Sequence, residues 1–322
     1  LVLGGGGAKG AAHVGVLAAL EELHIPIDCV VGTSMGALVG GTFASGRTAR
    51  EVEEAVSAIS WQEAIARRGL RGKVPMRRKL AGSTYSNSLE FGVRDGAITA
   101  QSGFFSTQNI DLTIQYLVAR SRDVTDFDQL PIPFRAVATD MQRGEMVVLA
   151  SGDLARAMRA SMAVPGIFAP VTIDGRILGD GGLTRNVPVD IARETCADVV
   201  IAAAVPNPTP EADDLSSPLT LVARTLDVLI GANERQQLET LGPQDVKIVI
   251  DMGDIGSASF DRVADAIPLG RAATLVHRAE LERYALPEAE YRAWRLARAR
   301  PPMEPVALAG VTVQGVQRVN ED

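Results

Sequence analysis

Cys29-Val30-Val31-Gly32-Thr33-Ser34-Met35-Gly36-Ala37-Leu38-Val39 is the stretch that decides the fold. An apolar strand over 27–31 runs into Gly32-Thr33-Ser34-Met35-Gly36, which matches G-x-S-x-G, and an Ala/Val/Leu-rich helix follows to about Gly46. Between a strand and a helix, this pentapeptide makes a sharp turn that lifts the serine hydroxyl out at the C-terminal edge of a sheet. Glycines two before and two after the serine remove side chains that would collide there. Upstream lies a similar unit. A short strand at 1–3 leads into Gly4-Gly5-Gly6-Gly7, then into a helix with Val14, Leu17, Ala18 and Leu20 at helical spacing. Ile25-Pro26 links the two units. Strands followed by helices at this spacing predict an α/β fold, a parallel sheet with helices on its faces.

The same reading extends along the chain. Further strands are expected at 134–139, 145–150, 198–205 and 247–251, and at 171–173 and 176–178 around the hairpin turn Asp174-Gly175. Helices are expected at 155–161 and 271–284, with another opened by Pro287 that carries Tyr291 and Trp294 on one side. Of the 322 residues, 46% are hydrophobic and 22% charged, which excludes disorder as the main state. Only eight Phe, four Tyr and two Trp are present, so the core must be built from Ala, Val, Ile and Leu, as in helix-covered parallel sheets. A net charge of −7 argues against a general nucleic-acid binder. No apolar run approaches the ~18 residues a membrane span needs. Cys29 and Cys196, far apart in apolar surroundings and without metal-ligand spacing, read as two buried small hydrophobes. The chain opens inside an apolar strand, with no initiator Met and no signal-peptide layout, which leaves export open.

Chemistry concentrates at three places. Ser34 is the candidate nucleophile, with Gly32 and Gly36 shaping its turn. Gly4-Gly5-Gly6-Gly7, with Lys9 and Gly10, offers backbone N–H groups unhindered by side chains just before a helix, a nest for a negative oxygen. Opposite a nucleophilic serine, Gly5, Gly6 and Gly7 would form an oxyanion hole, where one donor is worth about 3 kcal/mol in the transition state. Gly5, Gly7 and Gly10 also spell G-x-G-x-x-G, but the second strand does not end on the acid that dinucleotide binding requires. The third place is Gly179-Asp180-Gly181-Gly182, one carboxylate among three glycines after an apolar strand; Asp140, lacking such glycines, ranks behind it. The chain has three histidines. His13 and His24 fall within or at the end of the first helix, and His277 falls inside the expected 271–284 helix, whereas a catalytic histidine is normally presented on a loop. The order Ser34, Asp180, His277 nevertheless permits a triad, so two readings of the base stay open.

Together, the glycine-rich loop with Lys9, the Ser34 elbow and Asp180-Gly181-Gly182 resemble the patatin-like phospholipases. The likeness continues through Arg159-Ala160-Ser161-Met162-Ala163-Val164-Pro165 and Asn186-Val187-Pro188-Val189-Asp190, over roughly residues 1–298. It implies a three-layer α/β/α fold with a mostly parallel central sheet and the nucleophile elbow after the second strand. It also implies a Ser-Asp dyad, with Ser34 as nucleophile, Asp180 as proton acceptor and the glycine loop as oxyanion hole. The activity implied is phospholipase A-type acyl-ester hydrolysis, without metal or cofactor. An acyltransferase, or a non-catalytic lipid- or nucleotide-binding module, is the competing class. Lys9 stands where family members commonly carry Arg; the charge is kept but Arg's fork of donors is lost.

Near Arg300 the character changes. Residues 299–305 read as a proline-rich linker and 306–322 as strand-like alternation, either a tail strand or the opening of another domain. A patatin-like domain with such a tail resembles the passengers of type Vd autotransporters, in which a POTRA domain and an outer-membrane barrel follow. That resemblance implies a secreted or outer-membrane-linked passenger in a bacterial envelope. Residues 67–79 hold seven basic residues and no acid, a solvated loop or a patch for anionic lipid head groups. Trp61, Phe104 and Phe105 flank it as an entrance for acyl chains or as simple core. The expected partner is a phospholipid at a membrane surface; a homo-oligomer is compatible with the sequence.

Overall fold

A computed structural model describes residues 1–64, 91–94, 97–100, 108–208 and 218–301. In chain order its main elements are β1 (Val2–Leu3), α1 (Ala12–Glu22), β2 (Val30–Thr33), α2 (Met35–Ala44), α3 (Ala49–Ser57), α4 (Trp61–Ala64), β3 (Phe91–Arg94) and β4 (Ala97–Ala100). Then follow α5 (Gln108–Leu117), β5 (Phe134–Asp140), β6 (Glu145–Leu149), α6 (Leu154–Ser161), β7 (Val171–Ile173), β8 (Arg176–Asp180), α7 (Val189–Thr195) and β9 (Ile201–Ala204). The chain continues with α8 (Pro218–Leu238), β10 (Val246–Val249), α9 (Val263–Val276), α10 (Arg278–Leu281) and α11 (Glu288–Arg298).

Five strands, β10-β9-β1-β2-β5, run parallel, and β6 and β8 pair antiparallel with β5. β1, β2 and β9 are buried along their whole length, the mark of strands covered on both faces. The fold is therefore α/β with a mostly parallel central sheet, as expected. β2 begins three residues later than the expected 27–31, so it runs directly into the serine. α2 is apolar and buried on every side, which suits a helix enclosed by core. α1 and α9 press together where Gly15 meets the Ile267 carbonyl and Gly270 meets that of Ala12, so close that a Cβ at either glycine would collide with backbone. Among the described residues no helix is long and apolar enough to cross a membrane.

Two expectations are corrected. Cys29 and Cys196 are not separate hydrophobes; they form a disulfide, with Cα atoms 6.3 Å apart. Their separation of 167 residues matches no disulfide framework, and only the sheet brings the lead-in to β2 beside the end of α7. Cross-linking so long a loop stabilises by up to about 5 kcal/mol in the chain-entropy account. Cys29→Ser should accordingly lower the unfolding free energy by ~2–5 kcal/mol in denaturant titration. Reductant should do the same to the parent and nothing further to the variant; a parent indifferent to reductant would mean the thiols are not joined.

The second correction concerns 271–284. It is not one helix: α9 ends at Val276, His277 caps it, and α10 is a separate single turn. Thr274 donates its hydroxyl to the Gly270 carbonyl at 2.8 Å, a side-chain bond of the kind that bends a helix. Of the 299–305 linker only 299–301 are described, and Arg300 is anchored there by bonds to the Gly46 and Arg120 carbonyls. Residues 306–322, the basic run 67–79, Phe104 and Phe105 lie outside the described residues. Trp61 is buried, donates its indole N–H to the Val56 carbonyl at 3.3 Å and packs at a tilt against the Phe260 ring.

Candidate active site

Ser34 follows directly on β2 and caps the first turn of α2 with φ of 54° and ψ of −123°. A non-glycine residue in that region costs on the order of 1–3 kcal/mol and persists only where its surroundings impose it. Here they do. The Ser34 N–H donates to Ser161 Oγ at 2.8 Å, and the Ser161 hydroxyl donates to the Val137 carbonyl at 2.5 Å. The Ser34 carbonyl accepts from Ala37 and Leu38 N–H at 3.0 and 3.1 Å, so the helix starts on the serine itself. Gly32 packs against the other side of the turn: a Cβ there would lie 2.6 Å from the Gly36 carbonyl oxygen.

Sheet register then delivers the carboxylate. One edge of β5 is taken by β6. Along the other, β2 pairs up to Thr33 opposite Val137, and β8, arriving antiparallel, ends with Asp180 opposite Ala138. The C-terminal ends of β2 and β8 thus meet head to head at neighbouring positions of one strand. Ser34 Oγ donates to Asp180 Oδ2 at 2.7 Å, and the other carboxylate oxygen accepts the Gly182 N–H at 2.8 Å. The backbone of Asp180 is fixed too, its N–H bonded to the Ala163 carbonyl and its own carbonyl to the Thr139 hydroxyl. Asp180 is 6% exposed, and burial pushes its pKa up to about 6 against the opposing pull of the Ser34 and Gly182 hydrogen bonds. Asp140, the rival carboxylate, instead caps its own turn through the Gln142 and Arg143 N–H groups.

The glycine loop is held by its carbonyls. His13 Nε2 lies 2.7 Å from the Gly4 carbonyl, and the Asn186 side-chain amide donates to the Gly5 carbonyl at 3.4 Å. Burial lowers the His13 pKa to about 4, so a neutral ring donates its Nε2 proton to an oxygen that can only accept. The Gly4 and Gly5 N–H groups are committed to the Ala203 and Asn186 carbonyls. Among the described residues the Gly6 and Gly7 N–H groups make no hydrogen bond. Gly7 has φ of 58°, a conformation that favours glycine. Gly10 packs against Met35, joining this loop to the elbow. Lys9 is buried with its ammonium on the Val205 carbonyl (2.8 Å) and Asn207 Oδ1 (2.5 Å), and burial lowers its pKa to about 8.

The structure therefore brings Ser34, Asp180 and the glycine loop together, and places the histidines elsewhere. His277 pairs with Glu280 at 3.1 Å, His24 stacks on Tyr291 and His13 serves the loop. Within the described residues no histidine hydrogen-bonds Ser34 or Asp180. Ser161, Asn186, Asn233 and Glu234 carry contacts that sequence reasoning did not assign. The first two stood inside stretches already noted for their resemblance; the last two had no such signal.

The sequence profile of the family described as Patatin-like phospholipase matches residues 1–193, more than half of the chain and the part that holds all three elements of the site. The chain belongs to the patatin-like phospholipase family. It is 40% identical over 207 residues to a patatin-like phospholipase domain-containing protein of Caenorhabditis elegans, ZK370.4, and 35% identical over 205 residues to an uncharacterized NTE family protein of Mycobacterium tuberculosis, Rv1063c. Each alignment covers 64% of this chain, but 13% of the nematode protein and 48% of the mycobacterial one. The chain thus spans about half or less of the length of these relatives. Among solved structures, VipD from Legionella pneumophila aligns over 87% of this patatin-like chain and 66% of its own, with a TM-score of 0.49 and 14% identity.

Proposed function

We propose that this patatin-like domain hydrolyses fatty-acyl esters of phospholipids through a Ser34–Asp180 dyad. The observation that carries the reading is the 2.7 Å hydrogen bond between the strained, buried serine and a buried aspartate with no imidazole partner. Ser34 Oγ attacks the ester carbonyl carbon while its proton passes to Asp180 Oδ2. The oxyanion that forms is met by the loop amides, of which Gly6 and Gly7 N–H are uncommitted among the described residues while Gly5 N–H is bonded to the Asn186 carbonyl. Collapse of that intermediate expels the lysophospholipid alkoxide, which takes the proton from Asp180, and leaves an acyl-serine. Water, deprotonated by Asp180, then attacks the acyl-serine; the second collapse frees the fatty acid and returns the proton to Ser34.

Family membership supports the substrate class, and the resemblance to type Vd passengers supports placement in a bacterial envelope. The Cys29–Cys196 disulfide supports that placement as well, because such bonds persist in oxidising compartments. The test pairs product with label. Incubation with phosphatidylglycerol–phosphatidylcholine vesicles should release free fatty acid and lysophospholipid, and a fluorophosphonate should modify one site, recovered on the Ser34 peptide. Labelling with acyl transfer to an added alcohol in place of water would make the domain an acyltransferase. Neither label nor product would reduce it to a binding module and reject the proposal.

A further inference from the structure

α8 lies beyond residue 193, outside the span that the family profile matches, yet it reaches the site at three points. Glu234 accepts from the Asn186 side-chain amide at 2.6 Å. That amide lies between the glycine loop and the aspartate turn: a Cβ on Gly5 or on Gly182 would come within 2.6 or 3.0 Å of Asn186 Oδ1. Asn233, the neighbouring residue, accepts the Asn186 backbone N–H at 2.8 Å and donates to the Gly182 carbonyl at 2.9 Å, while Gly182 N–H holds Asp180. Two turns earlier on the same helix, Asp227 accepts from Asn207 at 2.7 Å, and Asn207 accepts from Lys9 at the far end of the glycine loop. Residues seven apart share a helix face, so Asp227 and Glu234 straddle the loop from one side.

Burying a carboxylate is costly unless it is hydrogen-bonded, and Glu234 is only 6% exposed. A fold that needed α8 only to cover the sheet would place an apolar side chain there. We infer that Asn233 and Glu234 are positioning residues: through Asn186 and Gly182 they fix the distance between the amide cradle and the Ser34–Asp180 pair. This inference rests on the dyad reading. Misplacement of reacting groups by about 1 Å can cost on the order of 100-fold in rate.

The experiment uses the full chain and measures kcat, KM and fluorophosphonate labelling rate on phospholipid vesicles, alongside thermal unfolding. Glu234→Ala should lower kcat and labelling rate together by ~10–100-fold with KM within about threefold, because the lost contact aligns reacting groups and does not bind lipid. Glu234→Gln, whose amide oxygen still accepts from Asn186, should return kcat to within about threefold of the parent, an outcome that charge alone would not give. Asn233→Asp keeps the acceptor for Asn186 N–H and removes the donor to Gly182, and should also lose kcat selectively. A Glu234→Ala protein that unfolds at a lower temperature but turns over normally per labelled serine would overturn the inference. Should Glu234→Ala not fold, Asn233→Asp decides: unchanged kcat there overturns it equally. If Ser34→Ala retains turnover, the dyad reading fails instead, and the two failures are told apart.

Discussion

Replacement of Ser34 by Ala is expected to remove ester hydrolysis altogether, by ~10⁴–10⁶-fold in kcat, the range seen when a serine nucleophile is deleted from a site whose amides stay in place. The geometry separates chemistry from folding at this residue. Its strained backbone is imposed by groups that an alanine leaves untouched: the N–H bond to Ser161, the carbonyl bonds to Ala37 and Leu38, and the contact of Gly32 with Gly36. The variant should therefore show the parent's circular dichroism and unfold cooperatively. What disappears is the hydroxyl that donates to Asp180, leaving that carboxylate, among the described residues, with the Gly182 N–H. Turnover of phospholipid vesicles above about 1% of the parent, in a preparation free of wild-type protein, would remove Ser34 from the mechanism, because losses of 10²-fold or less belong to supporting groups. Residual binding of vesicles by the dead variant is expected, since Ser34 is buried and its replacement leaves the outer surface unaltered.

How much of this was legible in the sequence depends on how locally each feature is determined. The elbow was, because G-x-S-x-G between a strand and a helix is a short-range pattern, and Gly32 answers contacts within five residues, Gly36 and Ala37; Gly36 itself lies against the Leu3 and Gly4 carbonyls of β1 and the glycine loop. The parallel sheet was, since fully apolar strands alternate with helices. Asp180 was legible as a carboxylate among glycines, and the family resemblance implied its pairing with Ser34; the contact itself, between residues 146 apart along the chain, follows from register on β5, which no local pattern encodes. The disulfide was not legible for the same reason. α8 escaped notice for a different one: the end that faces the site is polar, with Asn233, Glu234 and Gln237 turned inward, so the apolar periodicity by which a helix is read fails there. Asn186 and Ser161 were visible as residues and silent as to role, because their work is done on backbone atoms of distant strands and loops.

Asp180→Asn should be nearly as damaging as loss of the serine, with kcat down by about 10⁴-fold, since an amide can still accept the Ser34 hydrogen bond but cannot take its proton. The pH dependence follows from burial. Asp180 must be ionised to act as base, and its pKa is raised by desolvation to about 6. The protonated, inactive form therefore persists to higher pH than for a free aspartate, and kcat/KM should fall on the acid side with a single-proton slope centred near pH 6. The residual activity of the Asn variant should lack that limb. Because an unperturbed imidazole titrates at about 6.5, the limb alone does not distinguish a dyad from a triad, and the histidine variant is needed beside it. His277 pairs with Glu280 and partly faces solvent, so His277→Ala should keep kcat within about twofold, the ordinary consequence of altering a surface residue. The decisive comparison is the acid limb of that variant. If it is unchanged, the titrating group is the carboxylate; if both the limb and the activity vanish while the protein stays folded, an imidazole is the base and the pairing of Ser34 with Asp180 is structural.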